Sequence, residues 1–141
     1  MNRIYWDSMI FVYLIEANPL FGPRVKQVLE RMEQRGDRLM TSVFTVGEVL
    51  TGPSKAGAAD VVTKIKQWFE KGDIEILPFD WVTADRYSLL RSTHKVTQAD
   101  AIHLAAASVA GADVFVTNDK DLQKLTIPGI RFIVGLDGNM F

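Results

Sequence analysis

Apolar and polar positions follow two rhythms along this chain, and the rhythm changes at nearly regular intervals. Residues 3–6 form a short apolar run that reads as a strand. The stretch from Ser8 to Glu16 is apolar on every side, as expected of a helix buried against a sheet, and Asn18-Pro19 breaks it. A second helix is predicted from about Pro23 to Arg35, with Val25, Val28, Leu29 and Met32 on one face and Gly36 as its stop. Arg38 to Thr41 reads as a second strand. It leads into a short helix from about Thr45 to Leu50, which Gly52-Pro53 should end. Residues 58–71 are helical, with Val61, Val62, Ile65, Trp68 and Phe69 as the apolar stripe and Gly72 closing. Ile74 to Leu77 is a third strand, and a helix follows from about Val82 to Arg91. Thr97-Gln98-Ala99-Asp100 fits a capping box that opens an alanine-rich helix, and Gly111 sits at its expected end. Val114 to Val116 is a strand, Lys120 to Leu125 a short helix and Arg131 to Val134 a last strand.

Strands that alternate with helices predict an α/β fold: a three-layer α/β/α arrangement around a central, mostly parallel sheet. The length, 141 residues, suits one domain over 1–141, with no repeat or linker to divide it. In such sheets ligands bind beyond the carboxyl ends of the strands, near the point where the strand order reverses.

Four acids fall on that rim. Asp7 and Asp119 directly follow apolar strands, while Glu48 and Asp100 lie on helices whose starts should face the same way. Carboxylates beside buried elements are costly unless paired, hydrogen-bonded or bound to a metal, and hard divalent cations prefer oxygen donors. Three of the acids also have a plainer explanation. Asp7 can cap the following helix. Glu48 can be a solvated helix residue, although Val46, Gly47, Val49 and Leu50 leave little polar face around it. Asp100 stands where a carboxylate favours the helix dipole. Asp119 sits in Thr117-Asn118-Asp119-Lys120-Asp121, which is richer in polar groups than a simple turn requires. Asp121 reads as a residue supporting the site or starting a helix. His103, one turn after Asp100, reads as a structural or substrate-side residue, since no serine–histidine–acid arrangement is present.

Charge changes this picture modestly. The formal net charge is −1, with 17 acids and 16 bases. Once the four rim acids and Asp121 are neutralised by bound cations, the bases outnumber the remaining acids, so a nucleic-acid substrate is permitted. Arg86, Arg91, His94 and Lys95 precede Asp100, and Lys120 and Lys124 flank Asp119. These bases are either a solvated face or phosphate contacts. There is no cysteine, which excludes disulfides and thiolate metal sites and fits a cytoplasmic protein. The longest apolar run, Met9 to Ile15, is far short of the roughly 20 residues of a membrane span, so no membrane association is expected. No GxxxxGK[ST] or GxGxxG loop occurs. A haloacid-dehalogenase-type site would need an aspartate where Met9 stands. A receiver domain would need paired acids after the first strand, and only Asp7 is there.

Taken in order, IYWDSMIFVYLIE, SVFTVGEVLTGP and TQADAIHLAAASVAGADVFVTNDKDL resemble the PIN-domain nucleases, and most closely the VapC-type toxins of toxin–antitoxin pairs. The resemblance spans nearly the whole chain. It implies that Asp7, Glu48, Asp100 and Asp119 are catalytic, metal-binding acids. Ser8 and Thr117 match the hydroxyl positions beside the first and last of them, and Asp121 matches an additional acid that some members carry. Met9 departs from the small polar residue found there in many members. The resemblance further implies a Mg2+- or Mn2+-dependent endoribonuclease, an RNA substrate, a homodimer and a cognate antitoxin. A non-catalytic PIN-like module that binds RNA or protein is the alternative, and the retention of all four acids weighs against it. Trp68, Phe79 and Trp81 are expected in the core, with an interface role as the alternative.

Overall fold

A computed structural model describes residues 1–141. Five strands form one sheet in the order β3-β2-β1-β4-β5, and every neighbouring pair is parallel. They are β1 (Arg3–Trp6), β2 (Arg38–Ser42), β3 (Ile74–Leu77), β4 (Val114–Val116) and β5 (Phe132–Val134). Six helices connect them: α1 (Ser8–Ile15), α2 (Gly22–Arg35), α3 (Val43–Lys55), α4 (Ala59–Lys71), α5 (Trp81–Thr93) and α6 (Gln98–Ala110).

The period-2 alternation of the strands builds two cores, one on each face of the sheet. Ile4 and Trp6 of β1, Leu39 of β2 and Val114 and Val116 of β4 face α1–α4, where they meet Ile10, Phe11, Val28, Val49 and Phe69. Tyr5, Met40 and Phe115 face the opposite way and pack on Leu90 of α5 and on Leu104, Ala105 and Ala107 of α6. The three-layer expectation therefore holds, with the sheet fully parallel.

The strand order matters for function. The chain winds outward from β1 through β2 to β3, then α5 and α6 carry it back across to β4 on the other side of β1. The switch point lies between β1 and β4. Trp6 pairs there with Val116, and the Asp7 N–H donates to the Val116 carbonyl at 3.3 Å. Asp7 and Thr117 thus leave the sheet side by side.

Three expectations need correction. Gly52-Pro53 does not end α3, which continues to Lys55. A residue before proline avoids the helical region mainly because its Cβ and N–H meet the proline ring, and glycine lacks the Cβ. The Ala56 N–H then bonds the Gly52 carbonyl and the Ala58 N–H the Pro53 carbonyl, carrying the turn past the ring. The helix expected over Lys120–Leu125 is only a 3-10 turn, Leu122–Lys124. It ends where Leu125 turns extended, with φ −84° and ψ 150°. Trp81 is not in the core: it is 86% exposed at the start of α5, and Phe79 and Trp68 are also partly exposed. Trp68, expected in the apolar stripe of α4, is 37% exposed, and its neighbour Phe69 takes the buried side.

Candidate active site

Each of the four acids reaches the carboxyl rim through a local feature of its own. Asp7 is the N-cap of α1, with Oδ1 accepting from the Ile10 N–H at a long 3.4 Å. Asp100 stands in the first turn of α6, capped by Thr97 Oγ1, which accepts the Asp100 N–H at 3.2 Å. The Asp100 carboxylate makes no bond back to the Thr97 N–H, so capping leaves it available. Asp119 follows β4, and its Oδ1 accepts the N–H groups of Asp121 at 2.9 Å and Leu122 at 3.3 Å. Its own N–H donates to Thr117 Oγ1 at 3.1 Å. Asp121 is exposed, with its side chain 3.9 Å from Lys124 and its N–H spent on Asp119.

Glu48 is held differently. Its Oε1 accepts from His103 Nε2 at 2.8 Å and from the Ser8 hydroxyl in a short contact. Ser8 Oγ also lies 3.2 Å from the same imidazole nitrogen. The other ring nitrogen, Nδ1, meets the Tyr5 hydroxyl at 2.7 Å. A group of buried hydroxyls surrounds this pair: Thr41 Oγ1 bonds Thr45 Oγ1 at 2.7 Å and the Trp6 carbonyl at 2.9 Å. Ser8 therefore serves Glu48, not the adjacent Asp7. The hydroxyl that helps Asp7 is that of Thr117, which is fully buried.

The electrostatics tie the acids into one cluster. Burial pushes the Asp7 carboxyl above its ordinary value; the Thr117 hydroxyl, His103 and the Ile10 N–H oppose this, and the Asp100 charge adds to it. Burial likewise raises Asp100, the Thr97 hydroxyl opposes, and the charges of Asp119 and Glu48 raise it further. Glu48 moves the other way. The hydrogen bond from His103 holds it below the usual range despite burial, and Ser8 assists. Burial also pushes the Tyr5 phenol up to about 12, which keeps its proton in place at neutral pH.

All four acids thus share the rim at the β1/β4 switch, and three of them (Asp7, Asp100 and Asp119) lack a basic partner. They do not form a closed ligand set: no three acidic or histidine side chains are near enough to hold an ion as they stand. Glu48 is turned onto His103 and Ser8, and one oxygen of Asp119 caps the next turn. The donor chemistry nevertheless fits a hard divalent cation, because every donor is a carboxylate oxygen and Mg2+ commonly takes only one or two carboxylates and fills its remaining positions with water. The fit is electrostatic as well, since a cation would relieve the burial and mutual repulsion that raise Asp7 and Asp100.

The basic residues contribute less than expected. Arg86 is committed to the Ser108 hydroxyl and to the Pro128 carbonyl at 3.3 Å. Arg91 lies against Tyr87, with its guanidinium 6.0 Å from the ring centre. Lys120 lies 3.6 Å from Asp137. Sequence reasoning missed the bond between His103 and Glu48. Its signal was present in Tyr5, a hydroxyl-bearing side chain on the face of β1 opposite Ile4 and Trp6, and in the run Thr41, Ser42, Thr45, all buried.

A parallel, doubly wound sheet with acids on the rim at its switch point belongs to the α/β class in which ligands bind beyond the strand ends. The PIN domain family model matches residues 4–128, and the chain belongs to that family. No curated protein matches the sequence. Solved structures of similar fold include VapBC2 from Rickettsia felis bound to a DNA fragment from its promoter, at 20% identity and TM-score 0.74, covering 94% of this chain and 98% of that one. A toxin–antitoxin complex from Klebsiella pneumoniae matches at 24% identity and TM-score 0.68, over 90% and 94% of the two chains. VapC20 of Mycobacterium tuberculosis, a toxin that cleaves the sarcin–ricin loop, matches at 16% identity and TM-score 0.67, over 84% and 91%. At these identities the likeness is one of fold.

Proposed function

We propose that this chain is a Mg2+- or Mn2+-dependent endoribonuclease and the toxin of a toxin–antitoxin pair. The observation that carries the reading is the gathering of Asp7, Glu48, Asp100 and Asp119 at the β1/β4 switch, with Asp7 and Asp100 raised by burial and by neighbouring carboxylates. Membership of the PIN family and the resemblance of the fold to an RNA-cleaving toxin support the choice of RNA.

Asp7, Asp100 and Asp119 would hold the ion, with Glu48 as the fourth acid. When bound, the ion supplies charge neutralisation at the scissile phosphate and a more acidic water as nucleophile. The chain supplies position. Thr117 steadies Asp7, and the N–H groups after Asp119 fix one of its oxygens and leave the other free. His103 and Ser8 hold Glu48 in its ionised form. Lys120 and Lys124, exposed and close in sequence to Asp119, would supply cations for flanking phosphates. No serine or histidine nucleophile is needed.

An antitoxin partner is supported by the complexes among the similar structures. The homodimer and cytoplasmic location belong to the same reading, and no helix is long and apolar enough to cross a membrane. The test is incubation of the purified protein with total cellular RNA in Mg2+, in Mn2+ and in chelator. Discrete fragments only with divalent ion support the proposal. Fragments that persist in chelator refute it. RNA binding without cleavage would make the chain a binding module.

A further inference from the structure

His103 is 4% exposed on a helix buried on several sides, where Leu104, Ala105 and Ala107 are buried too, so both ring nitrogens need partners. Both have them. The Tyr5 hydroxyl stands 2.7 Å from Nδ1, and Glu48 Oε1 stands 2.8 Å from Nε2. A carboxylate accepts only, so Nε2 carries a proton, and in the neutral ring Nδ1 then accepts the Tyr5 O–H. The ring plane is fixed as well. Tyr5 meets it edge-on at 5.9 Å and Phe44 at 5.5 Å, while Tyr5 itself stacks on Phe115 at 5.1 Å and 7°. An imidazole anchored through β1 and β4 therefore presents one N–H to a rim carboxylate. The Ser8 hydroxyl donates to the same oxygen, and Glu48 Oε2 accepts no hydrogen bond.

Resting on the reading of the rim as a divalent-metal site, we infer that His103 is a positioning residue. With Ser8 as second donor and Tyr5 setting its tautomer, it holds Glu48 by Oε1 and leaves Oε2 for the ion. The arrangement differs from a histidine that is merely satisfied in a core, because its partner is a rim acid and not a backbone carbonyl. Outer groups that orient ligands in this way typically govern metal affinity by about 10- to 100-fold.

The experiment measures Mn2+ affinity by calorimetry on the purified full chain, with melting in chelator as a fold control. The variants are His103→Phe, His103→Gln, Ser8→Ala, Tyr5→Phe, Glu48→Ala and the double variant His103→Phe/Glu48→Ala. His103→Phe is expected to weaken Mn2+ binding by about 10- to 100-fold. His103→Gln, whose amide places a donor near the Nε2 position, should recover most of that loss. In the Glu48→Ala background His103→Phe should cost no further affinity, because it acts through Glu48. Wild-type affinity in His103→Phe with a lowered melting point overturns the inference and leaves the histidine as packing. So does a full second loss in the double variant. If His103→Phe does not fold, Ser8→Ala and Tyr5→Phe decide: weaker Mn2+ binding in both supports the inference, and unchanged binding in both overturns it. A wild-type chain that binds no Mn2+ defeats the metal reading and this inference together, whereas altered binding only at the rim acids defeats the inference alone.

Discussion

Replacing Asp100 with asparagine should stabilise the metal-free protein and remove most of its stabilisation by divalent ions. Asparagine keeps the shape of the side chain, and the Thr97 cap uses the backbone N–H of residue 100, which is untouched. Burial, and then the charges of Asp119 and Glu48, raise the Asp100 carboxyl above its unfolded value. A carboxyl raised on folding holds its proton more tightly in the native state, so stability falls as pH rises from the ordinary carboxyl range through the folded value. At neutral pH the ionised group is a net cost, which asparagine removes. In chelator the variant should therefore melt above wild type at pH 7, and the gap should close as the pH is lowered and Asp100 takes up its proton. Divalent ion reverses the order. At an ion concentration of 100 times Kd the linkage gain is about 2.7 kcal/mol. With an unfolding entropy of about 2.1 cal/mol/K per residue over 141 residues, that gain raises Tm by roughly 9 °C. A variant that binds 10- to 100-fold more weakly gains only about 0.4–1.4 kcal/mol at the same concentration, or roughly 1–5 °C. The assay is thermal melting followed by circular dichroism, in EDTA and in Mn2+, at both pH values. Wild type that melts at the same temperature with and without Mn2+ would refute the reasoning. So would Asp100→Asn melting below wild type in EDTA.

Other outcomes follow from the packing. Phe11→Ala empties a fully buried site among Trp6, Trp68 and Phe69 and should cost about 3–5 kcal/mol by urea denaturation, whereas Trp81→Ala should fall within about 0.5 kcal/mol of wild type. Thr97→Ala removes the α6 cap and should cost about 1 kcal/mol, with Thr97→Ser close to wild type. Gly36 and Gly129 both have positive φ, 70° and 91°, but only at Gly129 would a Cβ meet another group, 2.4 Å from the Ser108 carbonyl oxygen. Gly36→Ala should cost about 1–2 kcal/mol. Gly129→Ala should cost clearly more and loosen the Arg86–Pro128 contact, which melting curves of the two variants will show.

The layers of this fold were legible because buried parallel strands and capped helices leave strong local marks. Thr97 and Gly111 bracket α6 as its N-cap and left-handed stop, and Gly36 ends α2 in the same way. Helix ends that depend on context were not legible: Gly52-Pro53 looks like a stop, yet glycine's missing Cβ lets α3 run on. At the rim, Asp7 and Asp119 were marked by the strands before them. Glu48 carried the least local signal, because its position is set by His103, 55 residues away, and by Ser8, 40 residues away. Exposure of Trp81 was equally invisible, since an aromatic at a helix start carries the same periodic signal whether it is covered or bare. The four acids of the PIN resemblance lie near one another on the rim, but nothing in the sequence marked the hydrogen-bond network that orders them.

The most direct test of the acidic rim is an anomalous-scattering map from crystals of the protein grown with Mn2+. The expected map has a peak beyond the carboxyl ends of β1 and β4, with carboxylate oxygens of Asp7 and Asp100 or Asp119 at bonding distance, and the peak should be absent from Asp7→Asn crystals. A rim without a peak, or Mn2+ bound only at exposed carboxylates such as Asp121 or Asp137, would contradict it.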